Sequence, residues 1–218
     1  MTIALDAVSS TQTFNASSAT RTVSLTIGGG SNRLIVAFVP MYGSVAPSVV
    51  NFDGSAMTLA TSKVEGSYRA YIYYMLESSL PSAGTYNLSV TPSTSARGGI
   101  FCLSLTGVAQ QPPEAIATGS SATAQSSWSR SITTLTDGAW VFDCNTGNDR
   151  SFTPTSPQIQ LFDFLDGTIS GHVGSRKDVP TAGATSMGQT PSASTPYAQS
   201  VAAFAPADSS ASQVIWFS

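Results

Sequence analysis

The sequence predicts an all-β protein: a jelly-roll-like antiparallel β-sandwich with little or no helix. Three observations lead there. No segment sustains apolar residues at helical spacing. Short runs rich in β-branched and aromatic residues alternate apolar with polar side chains, as strands with one wet face do. Asp-Gly and Gly-rich turn signals separate these runs at intervals of about ten residues, the rhythm of a sandwich or barrel.

Taken in order, Thr2–Val8 alternates as a short strand, and Ser9–Thr20 is a Ser/Thr/Ala-rich connector. Arg21–Ile27 alternates again, with Val23, Leu25 and Ile27 on one face. Gly28–Asn32 is a flexible turn; neither a Lys nor a helical pattern follows, so it is not a phosphate loop. Arg33–Val39 is a near-continuous apolar run, as a strand covered on both faces should be. Pro40 ends it. Val49–Phe52 and Ala56–Ala60 flank Asp53-Gly54, a pair that supplies the positive φ of a hairpin turn.

The densest element is Tyr68–Leu76. Tyr68, Ala70, Ile72, Tyr74 and Leu76 point one way, and Arg69, Tyr71, Tyr73 and Met75 the other. Both sets are largely apolar, which predicts cover on both sides or a place at an interface. Tyr71 and Tyr73 are therefore candidate interface residues. The bend at Leu80–Gly84 leads into Thr85–Thr91, where Tyr86, Leu88 and Val90 alternate with polar residues, completing a central hairpin. Gly99–Thr106 is another buried strand. Gln110-Gln111-Pro112-Pro113 marks a crossing between the halves of a sandwich, near 109–114. Ser127–Leu135, Ala139–Asn145, Gln158–Leu165, Thr168–Val173, Ala184–Gln189 and Tyr197–Ala205 supply further strands. The expected organisation is one sandwich domain over residues 1–206, opening with an N-terminal strand and linker at 1–20. A linker and apolar tip follow at 207–218.

Several stretches, in this order, carry a family resemblance: Ser31–Val36, Asn51–Leu59, Tyr73–Leu76, Gly84–Thr91 and Leu103–Val108. Over residues 21–108 the chain resembles a jelly-roll-type β-sandwich module of bacteriophage virion proteins and bacterial surface proteins. The matching motifs are turns and core strands, so the resemblance implies fold far more than activity. Such modules decorate capsids or build fibres and baseplates in virions; on bacterial surfaces they adhere or bind glycans.

Composition narrows the function classes. With 218 residues, 41% of them hydrophobic, the chain can bury about 70% of its unfolded surface. Charged residues make up only 10%, against about 25% in an average soluble domain. Surface polarity must come from Ser, Thr, Asn and Gln. The net charge of -3 and the scattered Lys and Arg offer no basic face for nucleic acid or an anionic membrane. No apolar run approaches the ~20 residues of a membrane helix. Met1–Asp6 lacks the basic and apolar regions of a secretory signal, which predicts a product made and kept in a cytoplasm. Cys102 and Cys144 sit in strand-like runs and are expected to be reduced, buried, small hydrophobes.

Catalytic and metal constellations are thin. His172 is the lone histidine; a Ser-His-Asp triad would have to use it with Asp163 or Asp166, yet there is no Gly-x-Ser-x-Gly elbow. The expected role of His172 is structural, or it is simply exposed. One His and two separated Cys make zinc a poor fit. Asp143–Asp149 spaces oxygen ligands around a Gly like a calcium loop, but Pro154 stands where the bidentate Glu belongs, so a turn held by Asx hydrogen bonds is expected. Asp163 and Asp166 flank a turn and fit an exposed hairpin end at least as well as a glycosidase pair. Tyr68, Tyr71, Tyr73 and Tyr74 are either a sugar-stacking platform or core.

The expected function is that of a non-enzymatic virion structural protein. It would be a capsid decoration or cement protein, or a head-fibre or tail accessory, without cofactor or metal. It would be made in the host cytoplasm and reside in the virion. Its partners would be the major capsid protein or another virion protein, and further copies of itself in a dimer or trimer, because uncharged strand edges invite pairing. A glycan-binding or adhesive module is the competing class and a carbohydrate-active enzyme a third. Val214, Ile215, Trp216 and Phe217 are candidate interface residues, because four adjacent large apolar side chains need cover. That cover would be their own sheet, as a last strand, or a neighbour's groove.

Overall fold

The computed structural model describes residues 1–208 apart from Thr168. Its first part runs β1 (Ala4–Val8), β2 (Gln12–Ser17), β3 (Arg21–Ile27), β4 (Leu34–Phe38), β5 (Met41–Tyr42) and β6 (Pro47–Phe52). There follow β7 (Ser55–Ala56), β8 (Thr58–Glu65), β9 (Tyr68–Leu76), β10 (Gly84–Pro92) and β11 (Ala96–Thr106). The second part holds β12 (Ala115–Gln125), β13 (Trp128–Thr134), β14 (Ala139–Asn148), β15 (Phe152–Pro154), β16 (Ile159–Leu165), β17 (Ser170–Val179), β18 (Gly183–Pro191) and β19 (Thr195–Phe204). Apart from a 3-10 turn at Glu77–Ser79, the described residues contain no helix. The protein is all-β, as its periodicity predicts.

Among the described residues the strands make four sheets. In the first large sheet β1 and β2 lie end to end along β11, followed by β4, β9 and β8, with short β5 at one end. It faces a small sheet of order β3-β10-β6-β7. The second large sheet, β12-β19-β14-β17-β16, faces a small sheet of order β13-β18-β15. Each pair is a jelly roll, in which the chain winds back and forth between two antiparallel sheets. The 109–114 segment, expected to cross between halves of one sandwich over 1–206, links two complete sandwiches. The connector expected at Ser9–Thr20 also contains β2, whose Phe14 is fully buried.

The second winding repeats the first. Leu105 of β11 stands opposite Leu34 of β4, and Phe204 of β19 opposite Trp140 of β14. The best-preserved trace lies at the β9–β10 and β17–β18 bends, where Leu80–Ser95 aligns without a gap on Val179–Ser194. Pro81, Ala83, Gly84, Thr91, Pro92, Ser93 and Ser95 match Pro180, Ala182, Gly183, Thr190, Pro191, Ser192 and Ser194.

Alternation explains how the two sandwiches join. Along β4, Ile35 and Ala37 enter the core of the first sandwich, while Leu34, Val36 and Phe38 enter a layer between the two large sheets. Along β9, Tyr71 and Met75 take the first role and Ala70, Ile72 and Tyr74 the second. Trp140, Phe142, Cys144 and Phe204 meet them from the other side. The two-sided apolar runs are thus strands with a core on each face, and the layer holds the sandwiches as one body. Burying each large side chain there contributes about 1.5–3 kcal/mol. Polar bonds cross as well: Ser200 Oγ donates to the Ala70 carbonyl (2.8 Å) and Ser120 Oγ to Glu65 (2.7 Å).

The turn chemistry follows the sequence. Asp53 and Gly54 adopt φ of 48° and 78°, the left-handed pair of a tight hairpin.

Candidate functional site

Two clusters of chemistry-bearing side chains lie in the second sandwich. The first forms where β16 returns as β17. Asp166 and Ser170 close that turn: the Ser170 N–H donates to Asp166 Oδ1 (3.0 Å), and the Ser170 hydroxyl donates to Oδ2. Two residues on, and so on the same face, His172 places Nε2 3.1 Å from Ser170 Oγ and 3.5 Å from Asp166 Oδ2. Its Nδ1 lies 3.2 Å from Thr146 Oγ1, directly opposite on β14. Thr146 in turn donates to the Arg69 carbonyl (2.8 Å), and Arg97 Nη1 donates to the Asp166 carbonyl (3.1 Å). The polar chain therefore starts and ends on the first sandwich and stitches the two together.

A serine, a histidine and an aspartate do meet here, but in an order unsuited to nucleophilic attack. A triad needs the carboxylate on one ring nitrogen and the serine on the other. Here both crowd Nε2, the serine's only hydrogen goes to the carboxylate, and Ser170, His172 and Thr146 are fully buried. Burial is the largest influence on His172 and pushes its imidazole below the ordinary value, against the pull of Asp166. Burial would raise Asp166, but hydrogen bonds from His172 and Ser170 outweigh it and hold that carboxyl below the usual range. The arrangement is a structural lock.

The second cluster centres on Asp143, in the interior of the second sandwich. Its Oδ1 accepts from the Ser175 N–H (2.9 Å) and hydroxyl (2.6 Å); its Oδ2 accepts from Asn145 (2.9 Å), Gln189 (3.0 Å) and Gln199 (3.1 Å). Burial raises the carboxyl above its ordinary value, and the side-chain donors oppose that rise. Every side-chain contact to this carboxylate is a donor, the shell that favours its ionised form and opposes the rise due to burial. The hub ties β14, β17, β18 and β19 together. At the matching place in the first sandwich stands Ala37, opposite Tyr73.

The Asp143–Asp149 stretch is thus neither a calcium loop nor an Asx turn: β14 runs straight through it to Asn148, with Asp143 pointing into the core. Among the described residues no three His, Cys, Asp or Glu converge as a metal site requires. Asp163 has a different partner from Asp166: it is half-buried, raised by burial, and accepts the Phe152 N–H (3.2 Å). Cys102 lies in the first core and Cys144 in the layer between sandwiches, both as free thiols. Burial pushes Cys102 up to about 12 and Cys144 well above its ordinary value.

The four tyrosines of β9 share no platform. Tyr71 is buried in the first core, and Tyr74 packs edge-on to Phe204 (5.9 Å) in the layer between sandwiches. Tyr68 sits edge-on to Tyr42 (5.5 Å) and bonds Asn148. Tyr73 is half-buried, its hydroxyl pushed up to about 12 by burial and then by Tyr71. It lines a groove of about 380 Å³ with Pro47, Val49, Val50 and Met57. Of the six candidate interface residues, Tyr73 is half-open and Tyr71 is covered by its own sandwich. Val214, Ile215, Trp216 and Phe217 lie outside the described residues.

No family model, no curated protein and no solved structure matches this chain. Sequence reasoning missed the Asp143 hub, although its signal was present. Asp143 and Asn145 share the inward parity of Val141 in an otherwise apolar strand, and inward polar groups need partners.

Proposed function

We propose that the chain is a non-enzymatic structural protein of a virion, a capsid decoration or cement protein or a head-fibre or tail accessory. It docks by its surfaces onto a repeating assembly, with the major capsid protein or another virion protein as partner. One observation carries the reading: both clusters face inward, while the outer face of the first small sheet is a lawn of uncharged hydroxyls and amides. There Thr20 pairs with Thr91 (2.7 Å), Thr22 with Ser89 (3.3 Å), Ser24 with Asn87 (2.8 Å) and Thr26 with Thr85 (2.8 Å). Such a face suits a neighbouring protein subunit better than nucleic acid or an anionic membrane, which would need cations. The resemblance of residues 21–108 to virion modules supports the same reading. So does the apolar layer shared by the two sandwiches, which suits a part that reinforces a shell.

Co-sedimentation tests it. Purified protein mixed with particles stripped of it should pellet with them and saturate at a fixed copy ratio. Failure to pellet under any condition that preserves the particles would contradict the proposal. The half-buried Tyr42–Tyr68 pair beside Asn148 favours a second reading, a glycan-binding module. Binding on a glycan array that Tyr42→Ala abolishes would support it.

A further inference from the structure

We infer that the apolar tip Val214, Ile215, Trp216 and Phe217 folds back onto its own chain. It closes an open corner of the layer between the two sandwiches, walled by Leu5 and Val8 of β1 and by Ile159 of β16.

Strand parity locates the corner. Leu5 stands opposite Leu105 and Val8 opposite Leu103, and residues paired across strands project from one face. Ile3, Leu103 and Leu105 are buried in the layer. Leu5 and Val8 therefore point toward the second sandwich, yet they are 42% and 52% exposed. From the other side, Ile159 stands opposite Arg176, Phe162 opposite Gly174 and Phe164 opposite His172, so these three also share the layer face. Two of them are covered. Phe162 lies 5.1 Å from Phe101, and the Phe164 ring comes so close to Gly99 that an added Cβ there would collide with it. One step of two residues along each strand leads from the Phe164–Gly99 contact to the Phe162–Phe101 contact. The next step reaches Leu103 on β11 and, past the bulge after Gln160, Ile159 on β16. Ile159 is 47% exposed. The edge strands β1 and β16 thus leave three large apolar side chains on the faces of the layer but open to solvent. Arg176, the cation on this face of β17, is already engaged: it lies over Trp140 (4.0 Å) and bonds Asp178.

Three observations point to the occupant. One is where the chain leaves the described residues. The Met1 ammonium donates to the Ala207 carbonyl (2.8 Å), and the Ala207 N–H to the Gly107 carbonyl (2.7 Å), so Asp208 stands beside the start of β1. Another is reach: Leu5 is four residues from Met1, at most about 14 Å, whereas the six residues from Asp208 to Val214 can span about 20 Å. The third is chemistry, because residues 209–217 carry no charge and 214–217 bring the large apolar side chains that such a corner needs for cover. The bulge between Leu5 and Ala7 interrupts the free edge of β1, so the contact is side-chain packing and not an added ladder strand. Seated there, the tip ties β1 to β16, clamps the two sandwiches together and is withdrawn from neighbours. None of this rests on the virion reading.

Fluorescence quenching of the full chain tests it. Trp128 and Trp140 are buried, so the emission lost in Trp216→Phe belongs to the tip. Iodide should quench that emission weakly at every protein concentration. Leu5→Asp with Val8→Asp charges one wall of the corner, and Ile159→Asp charges the other. Each should raise the quenching constant several-fold and shift the emission to the red, with the far-ultraviolet spectrum unchanged. The walls are probed separately, so a variant that fails to fold leaves the other to decide. Free quenching of Trp216 in the unaltered chain, or shielding kept by either folded variant, overturns the proposal. So does shielding that disappears on dilution, which would make a second copy the donor of the tip. An exposed tip on a chain that still pellets with particles defeats this inference alone. A seated tip on a chain that never binds particles defeats only the virion reading.

Discussion

Phe38→Ala asks whether the two sandwiches melt as one body. The Phe38 ring is fully buried in the layer between them, 5.9 Å from Phe101, 6.0 Å from Phe142 and 5.6 Å from Phe162. Truncating it strips contacts from both sandwiches at once and leaves a hole that rigid strands on either side cannot fill. Removing a buried phenylalanine in this way costs about 3–5 kcal/mol. In a protein of this length each kcal/mol lowers the midpoint by about 2–4 °C, so the expected fall is about 6–20 °C. Differential scanning calorimetry reads it. If the layer couples the sandwiches, both proteins give one peak, and the variant's peak moves down whole with calorimetric and van't Hoff enthalpies in agreement. Two peaks, of which only one moves, would refute the coupling.

Other expectations follow from the buried polar groups. The lowered imidazole of His172 is kept neutral in the fold, so the unfolded chain takes up a proton first as pH falls through about 6.5. Stability present above that pH is lost below it, and the melting temperature should fall from pH 7 to pH 5. Because His172 is the single histidine, His172→Gln should flatten that slope, and a slope unchanged in the variant would be inconsistent with the lock. Asp143→Ala leaves donors from Asn145, Ser175, Gln189 and Gln199 facing nothing and should cost about 3–5 kcal/mol in urea unfolding; a loss under about 1 kcal/mol would mean water takes the carboxylate's place. Cys102 and Cys144 should resist alkylating reagents until the chain unfolds, and a bridged species in intact mass would contradict their separate burial.

Much of the fold was legible because strand alternation is a local signal. The opposite faces of Tyr68–Leu76, the inward set Val23, Leu25 and Ile27, and the Asp53-Gly54 turn all follow from side-chain parity and backbone sterics, which need no knowledge of distant partners. The duplication was harder to see. Its trace survives at the Pro-x-Ala-Gly bends, where turn geometry restricts the residues, and has faded along strands such as β9 and β17, where Tyr73 and Ser175 occupy matching places. Apolar cores tolerate exchange of packing partners, so strand sequence drifts while winding persists. The polar clusters were least legible. Asp166, Ser170 and His172 are close in sequence, but Thr146, Arg69 and Arg97 arrive from other strands, and only the fold brings them together.

Counting the chain in purified particles tests the proposal that it is a virion component docking by its surfaces. Quantitative mass spectrometry of gradient-purified virions should find the chain at a fixed ratio to the major capsid protein, the same from one preparation to the next. Its recovery only in the soluble fraction of infected cells, with none in the particles, would contradict that proposal.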